Sequence, residues 1–223
     1  MDRNDSIDGG RSPRPGVLAA LVLAAALAVG TVPASAATII DDWQSIRPPP
    51  PPALHPVQLD PQTSALLVLD LVKQTCNETR RPRCPPSLPK VAELLKTARA
   101  HHMLVVYTVV MANKATEDVL PEVAPLGGEP MVKSGPDKFI NTELDQILKS
   151  HGITTVVAVG TAAEGAVLYT ASHAALLGYS VVLPVDGMSS ASAYPEQYVT
   201  WNMANAPSVS TKVTLTAIDQ IGF

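Results

Sequence analysis

Residues able to do chemistry stand out at three places in this chain: Asp70, Lys133, and the turn Thr161-Ala162-Ala163-Glu164-Gly165-Ala166. Asp70 closes the apolar run Ala65–Leu69, so its carboxyl is expected to be partly desolvated, with a raised pKa unless a cation stands near. Lys133, in the short extended piece Met131-Val132-Lys133, is the cation expected to face it. Such a buried Asp–Lys pair either presents a proton donor or acceptor to a substrate or ties a loop to a sheet as a structural ion pair. The residues Val156–Gly160 form an unbroken apolar run that passes almost directly into a helix, with Val167, Leu168, Ala171 and Ala175 on one face and Gly178 at its close. A strand feeding a helix this way aims backbone N–H groups above the sheet edge, where α/β proteins bind ligands. Thr161 followed by Glu164 matches a capping box, so the helix is expected to start there. Glu164 is also a candidate accessory carboxylate.

The elements that must position these residues alternate strand and helix. Ala65–Leu69, Leu104–Val110, Val156–Gly160 and Tyr179–Pro184 are continuous apolar runs without polar alternation, the mark of strands buried on both faces. Between them, Leu88–Ala100 reads as an amphipathic helix, with Val91, Leu94, Leu95 and Ala98 on one side. A helix is expected from Asn141 or Thr142 to a stop before Gly152, another over Glu196–Ala206, and a closing edge strand at Val213–Leu215. The pattern predicts an α/β fold of three αβα layers around a mainly parallel sheet of about six strands, with a Rossmann-like topology. Two loops break the rhythm, Lys73–Pro86 beyond Asp70 and the Pro/Gly-rich excursion Asn113–Pro130.

Composition narrows the function classes. The 223 residues carry a formal net charge of −4 and few aromatics, which argues against a nucleic-acid partner. Arg3, Arg11 and Arg14 precede the apolar run Val17–Val29, which ends in Ala34-Ser35-Ala36. That is the form of a secretory signal peptide over 1–36, with an uncleaved anchor as the alternative. The mature protein is expected to begin near Ala37 and to be periplasmic or secreted, with no membrane association after cleavage. The region 37–60 is a Pro-rich lead-in whose run Pro48–Pro52 favours polyproline II, and 61–223 is expected to be the single folded domain. In an oxidising compartment Cys76 and Cys84 are expected to form a local disulfide, the alternative being a reactive thiol at Cys76. His101 and His102, at a helix end, are expected to be exposed, His173 to lie on the outer face of its helix, and Tyr198 and Trp201 to pack on the last helix.

The ordered set Ala65–Asp70, Lys133 with Phe139 and Thr142-Glu143-Leu144 behind it, Val159–Val167, Gly178-Tyr179 and Val185-Asp186 resembles the isochorismatase-like (cysteine hydrolase) superfamily, over roughly Thr63 to Pro207. The resemblance implies a triad of aspartate, lysine and cysteine. Its aspartate falls on Asp70, its lysine on Lys133, and its nucleophile position on Ala166, which has no nucleophilic atom. It also implies a cis peptide at Thr161–Ala162, turning the backbone of Thr161, Ala162, Gly165 and Ala166 into an oxyanion site. True isochorismatases share the missing cysteine and hydrolyse a vinyl ether with the aspartate as proton donor and acceptor. The Asp-x-His element of metal-binding members is not found, so no metal and no cofactor are expected. The resemblance therefore implies an exported hydrolase of a small organic molecule, cleaving an amide C–N or vinyl-ether-type bond by water attack. The alternative is a catalytically inactive periplasmic binding or scaffold protein on the same fold. The partner expected is a small-molecule substrate or ligand, and self-association into a homo-oligomer is compatible with either reading.

Overall fold

The computed structural model describes residues 37–112 and 115–223. The signal-peptide expectation falls on 1–36 and lies outside the described residues. The chain divides into two compact units at Pro48–Pro49. In the first, Thr38 caps the short helix α1 (Ile39–Asp42): its backbone N–H and hydroxyl both donate to the Asp41 carboxylate at 2.8 Å.

The second unit is built on a parallel sheet. Its strands are β2 (Ser64–Leu69), β3 (Leu104–Val110), β4 (Met131–Ser134), β5 (Thr155–Thr161), β6 (Ser180–Pro184) and β8 (Val213–Thr216), in the spatial order β4-β3-β2-β5-β6-β8. A seventh strand, β7 (Met188–Ser189), pairs with the end of β5. A separate two-stranded parallel pair joins β1 (Val57–Gln58) to β9 (Ile221–Gly222). Part of the Pro-rich lead-in is thus built into the domain, and the His55 N–H also donates to the Leu215 carbonyl.

Period-two alternation along the central strands sends side chains into two cores. Ala65, Leu67 and Leu69 of β2 and Val156 and Ala158 of β5 pack beneath α3 (Leu144–Ser150), α4 (Leu168–Leu176) and α5 (Ala193–Asn205). Leu66, Val68, Val157 and Val159 face the opposite layer, beneath α2 (Leu88–Ala100). That is why the strand sequences are apolar throughout: neither face meets water. Helix α2 has the bounds its periodicity predicts, whereas α3 begins at Leu144, later than expected, after Asn141 takes a left-handed φ of 56°.

The register gathers the C-terminal ends of β2, β3 and β5. Leu69 stands opposite Thr108 on one side and Gly160 on the other. A side chain at Gly160, where φ is 139°, would overlap the Leu69 carbonyl, so the close approach of β5 to β2 here requires glycine.

Candidate active site

Asp70 leaves β2 with φ 53°, a conformation uncommon for a non-glycine residue and found where surrounding contacts enforce it. Those contacts are present. Its N–H donates to the Thr108 carbonyl and hydroxyl, each at 3.2 Å, and the Thr108 hydroxyl donates to Asp70 Oδ1 at 2.9 Å. The Thr75 hydroxyl donates to the Asp70 carbonyl. The second carboxylate oxygen, Oδ2, accepts from Lys138 Nζ at 2.7 Å, and the two side chains are 4% and 0% exposed. Burial pushes the Asp70 carboxyl above its ordinary pKa, outweighing the opposing pull of Lys138 and of the Thr108 hydrogen bond.

The cation facing Asp70 is therefore Lys138, not Lys133. The cause is strand periodicity: on β4, Val132 and Ser134 point inward and Lys133 is exposed. Lys133 lines a neighbouring hollow of about 520 Å³ with Met111, Asp137 and Tyr169. Lys138 comes from the following loop. Its Nζ also donates to the Gly135 carbonyl at 2.8 Å, and its backbone N–H donates to the Thr170 hydroxyl of α4 at 3.2 Å. Phe139, buried beside it, anchors the segment in the core under α3 and α4. A lone aromatic directly after a lysine in a Gly-Pro-Asp loop is the sequence signal that could have marked Lys138.

The turn after β5 also differs from expectation. Helix α4 is entered through a π-helical turn, Ala163–Val167, with Ala162 at its N-cap position and no side-chain cap. The capping box is not formed. The Thr161 hydroxyl donates instead to the Ser189 carbonyl at 3.0 Å, because β7 lies alongside. Glu164 accepts from the Ser190 hydroxyl at 2.6 Å. The Thr161–Ala162 peptide is cis. The Gly165 N–H is committed to the Ala162 carbonyl at 3.1 Å, so this one of the expected donors is already used.

These pieces meet in one cavity of about 310 Å³, lined by Asp70 and Thr75, by Arg80 and Arg81, by the Ser134–Pro136 segment, and by Thr161, Ala162, Gly165 and Ala166. The structure thus brings together Asp70 and Thr161, Ala162, Gly165 and Ala166 of the turn, adds Lys138 behind Asp70, and leaves Lys133 and the accessory candidate Glu164 outside the cavity lining. Arg80 and Arg81 had no signal of their own beyond their place in the loop after Asp70. That loop is closed by a disulfide between Cys76 and Cys84, and the alternative of a reactive Cys76 thiol falls away. His101 and His102 are exposed, with His101 stacked on Phe223. His173 is half-buried, its Nδ1 2.8 Å from Asp137 Oδ2, and does not reach Asp70's cavity lining. Tyr198 and Trp201 belong to α5 but are each 41% exposed. Among the described residues, no three His, Cys, Asp or Glu side chains come together as a metal site.

Comparison with known proteins agrees with this architecture. Residues 64–216 match the family model described as the Isochorismatase domain. An uncharacterized isochorismatase family protein of Bacillus subtilis (strain 168), YaaI, is 22% identical over 160 residues, covering 63% of this chain and 88% of its own length. Among solved structures, an isochorismatase-like hydrolase from Alkaliphilus metalliredigens superposes with a TM-score of 0.64 at 25% identity, covering 71% of this chain and 96% of that one. The N-carbamoylsarcosine amidase of Thermoplasma acidophilum shares the fold with a TM-score of 0.59 at 22% identity, over 70% of this chain and 97% of that one.

Proposed function

The chain belongs to the isochorismatase family, and on that premise we propose that it hydrolyses a small organic molecule without a cysteine nucleophile, by water attack assisted by Asp70 and Lys138. The observation that carries this reading is the state of the cysteines. The chain has two, and they are bonded to each other. A thiolate route to an acyl-enzyme has no thiol to begin from. The family's nucleophile position falls, by the resemblance, on Ala166, whose side chain lines the cavity. Neighbouring hydroxyls do not stand in for it. Those of Thr75, Ser134 and Thr161 each donate to a backbone carbonyl, which leaves none of them activated by a base.

Water is then the nucleophile and Asp70 the proton carrier. Because burial favours its neutral form, Asp70 suits acid-first cleavage of a vinyl ether. It gives a proton to the alkene carbon, and water adds to the oxocarbenium carbon. The Asp70 carboxylate, held by Lys138 and Thr108, takes the proton that water releases. The hemiketal collapses to a ketone and an alcohol, with one water consumed and Asp70 restored. An amide C–N bond would use the same groups with Asp70 first as base. On the amide route the backbone N–H groups of Ala162 and Ala166 would hold the developing oxyanion, since that of Gly165 is spent; on the vinyl-ether route the developing charge is positive and they would serve only to orient the substrate. The disulfide supports placing the protein in an oxidising compartment, periplasmic or secreted, and the N-terminal sequence pattern supports a mature chain starting near Ala37.

A panel of small amides, esters and vinyl ethers, assayed with the wild type and Asp70→Asn, tests the proposal. Turnover that falls by about 100-fold or more in the variant is expected for loss of a general acid–base group. Turnover indifferent to the substitution removes the proposed role, and binding without turnover across the panel moves the reading to an inactive binding protein.

A further inference from the structure

We propose that His173 of α4 is a positioning residue: through Asp137 it holds the loop that carries Lys138, and so fixes that lysine against Asp70. The inference rests on the proposed hydrolytic site, since it concerns the same Asp–Lys pair.

Lys138 lies in no strand or helix, and the four-carbon stem of a lysine is flexible. Where its Nζ stands must therefore be fixed from outside its own segment. Helix α4 does this at two positions one turn apart. The Thr170 hydroxyl accepts the Lys138 N–H at 3.2 Å and donates to the Pro136 carbonyl at 3.4 Å. Three residues on, along the same face, His173 Nδ1 stands 2.8 Å from Asp137 Oδ2, and its ring lies 5.1 Å from that of Phe139. The other oxygen of the Asp137 carboxylate accepts the Phe139 N–H at 3.0 Å. The residues on either side of Lys138 are thus both held by His173, one through a hydrogen bond and one through a ring contact. Lys138, between them, sends its side chain to Asp70 Oδ2 and the Gly135 carbonyl.

The clamp is placed to act through the lysine. Neither His173 nor Asp137 belongs to the lining of Asp70's cavity, so neither meets a substrate there. What acts directly on the Asp70 carboxyl is its burial, followed by Lys138, Thr108 and Arg81. An influence of His173 on Asp70 has to pass through Lys138. The bond itself asks little of the ring. A carboxylate only accepts, so Nδ1 carries the hydrogen here, and an uncharged amide in the same place would serve as well. Loss of the clamp has a definite sign. Lys138 pulls the Asp70 pKa down against burial, and a lysine free to move away pulls less. Asp70 should then keep its proton to higher pH.

Carbon-13 NMR of the disulfide-intact protein, labelled at its aspartate carboxyls, follows the Asp70 titration with no substrate present. Its resonance is assigned by its absence in Asp70→Asn. His173→Ala is expected to raise the midpoint by about half a unit or more, roughly a threefold change in proton affinity. His173→Asn, whose amide nitrogen takes the place of Nδ1, is expected to restore it, which a role in folding alone does not predict. Asp137→Ala reads the same hold from the loop side, and should give the same rise if His173→Ala folds poorly. Combining the two should add little, because they act as one unit. The proposal is overturned if the midpoint in a cooperatively melting His173→Ala or Asp137→Ala protein stays within about 0.2 unit of the wild type. It is equally overturned if His173→Asn is displaced as far as His173→Ala. The measurement needs no turnover, so failure of the hydrolytic reading leaves its result standing, and the reverse.

Discussion

Asp70 and Lys138 face each other at 2.7 Å with almost no exposure, so neither has water to take the other's place. Removing one partner of such a pair leaves an uncompensated buried group, a large loss even where the intact pair contributes little net stability. Lys138→Met is therefore expected to lower unfolding free energy by about 3 kcal/mol. Lys133→Met, at an exposed position, should cost less than about 1 kcal/mol. Urea unfolding of both variants measures the contrast, and equal losses would contradict the pairing. The same two lysines show what was legible at this scale. The burial of Asp70 could be read from sequence because it directly closes a strand that is apolar throughout. Its partner could not be found by proximity to an apolar stretch: Lys133 lies inside one, but on a strand whose alternation turns it outward. Lys138 lies in a loop, where no periodicity reports direction, and only the buried Phe139 next to it marks the segment as fixed.

At the scale of elements, the long strands and α2 were readable because doubly buried strands and amphipathic helices leave unambiguous patterns. Two-residue strands leave none. The β1–β9 pair and β7 escaped for that reason. Missing β7 also produced the wrong role for Thr161, whose hydroxyl serves the Ser189 carbonyl and not a helix cap. The loop between Cys76 and Cys84 brings Arg80 and Arg81 to the cavity wall. Its bridge spans a sequence separation of 8 residues. Closing so short a loop is expected to contribute about 2–3 kcal/mol through the entropy of the unfolded chain. Reduction should lower the melting temperature accordingly and loosen the wall that carries Arg80 and Arg81. Scanning calorimetry with and without a phosphine reductant checks this, and an unchanged midpoint with both thiols shown to be free would contradict it.

For the molecule as a whole, the proposal of export, cleavage near Ala37 and oxidation in place makes a direct prediction. Intact-mass analysis of native material, before and after reduction, is expected to show a chain beginning near Ala37 that gains two hydrogens on reduction. A full-length species with two free thiols would overturn both expectations. The central claim also belongs to this scale, because it depends on there being no thiol anywhere in the chain to act as nucleophile. If Asp70 donates the proton, activity belongs to its neutral form: it is present at low pH and lost as pH rises through the carboxyl's own pKa. Burial raises that pKa, so the falling limb must lie above the ordinary 3.8. The decisive measurement is kcat/KM against pH for a vinyl ether that the wild type turns over, with iodoacetamide present, for wild type and Asp70→Asn. The predicted result is an iodoacetamide-insensitive rate with a falling limb above pH 3.8 in the wild type, and that limb abolished with the rate in Asp70→Asn. A rate that iodoacetamide destroys, or a pH profile unchanged by Asp70→Asn, would contradict the account.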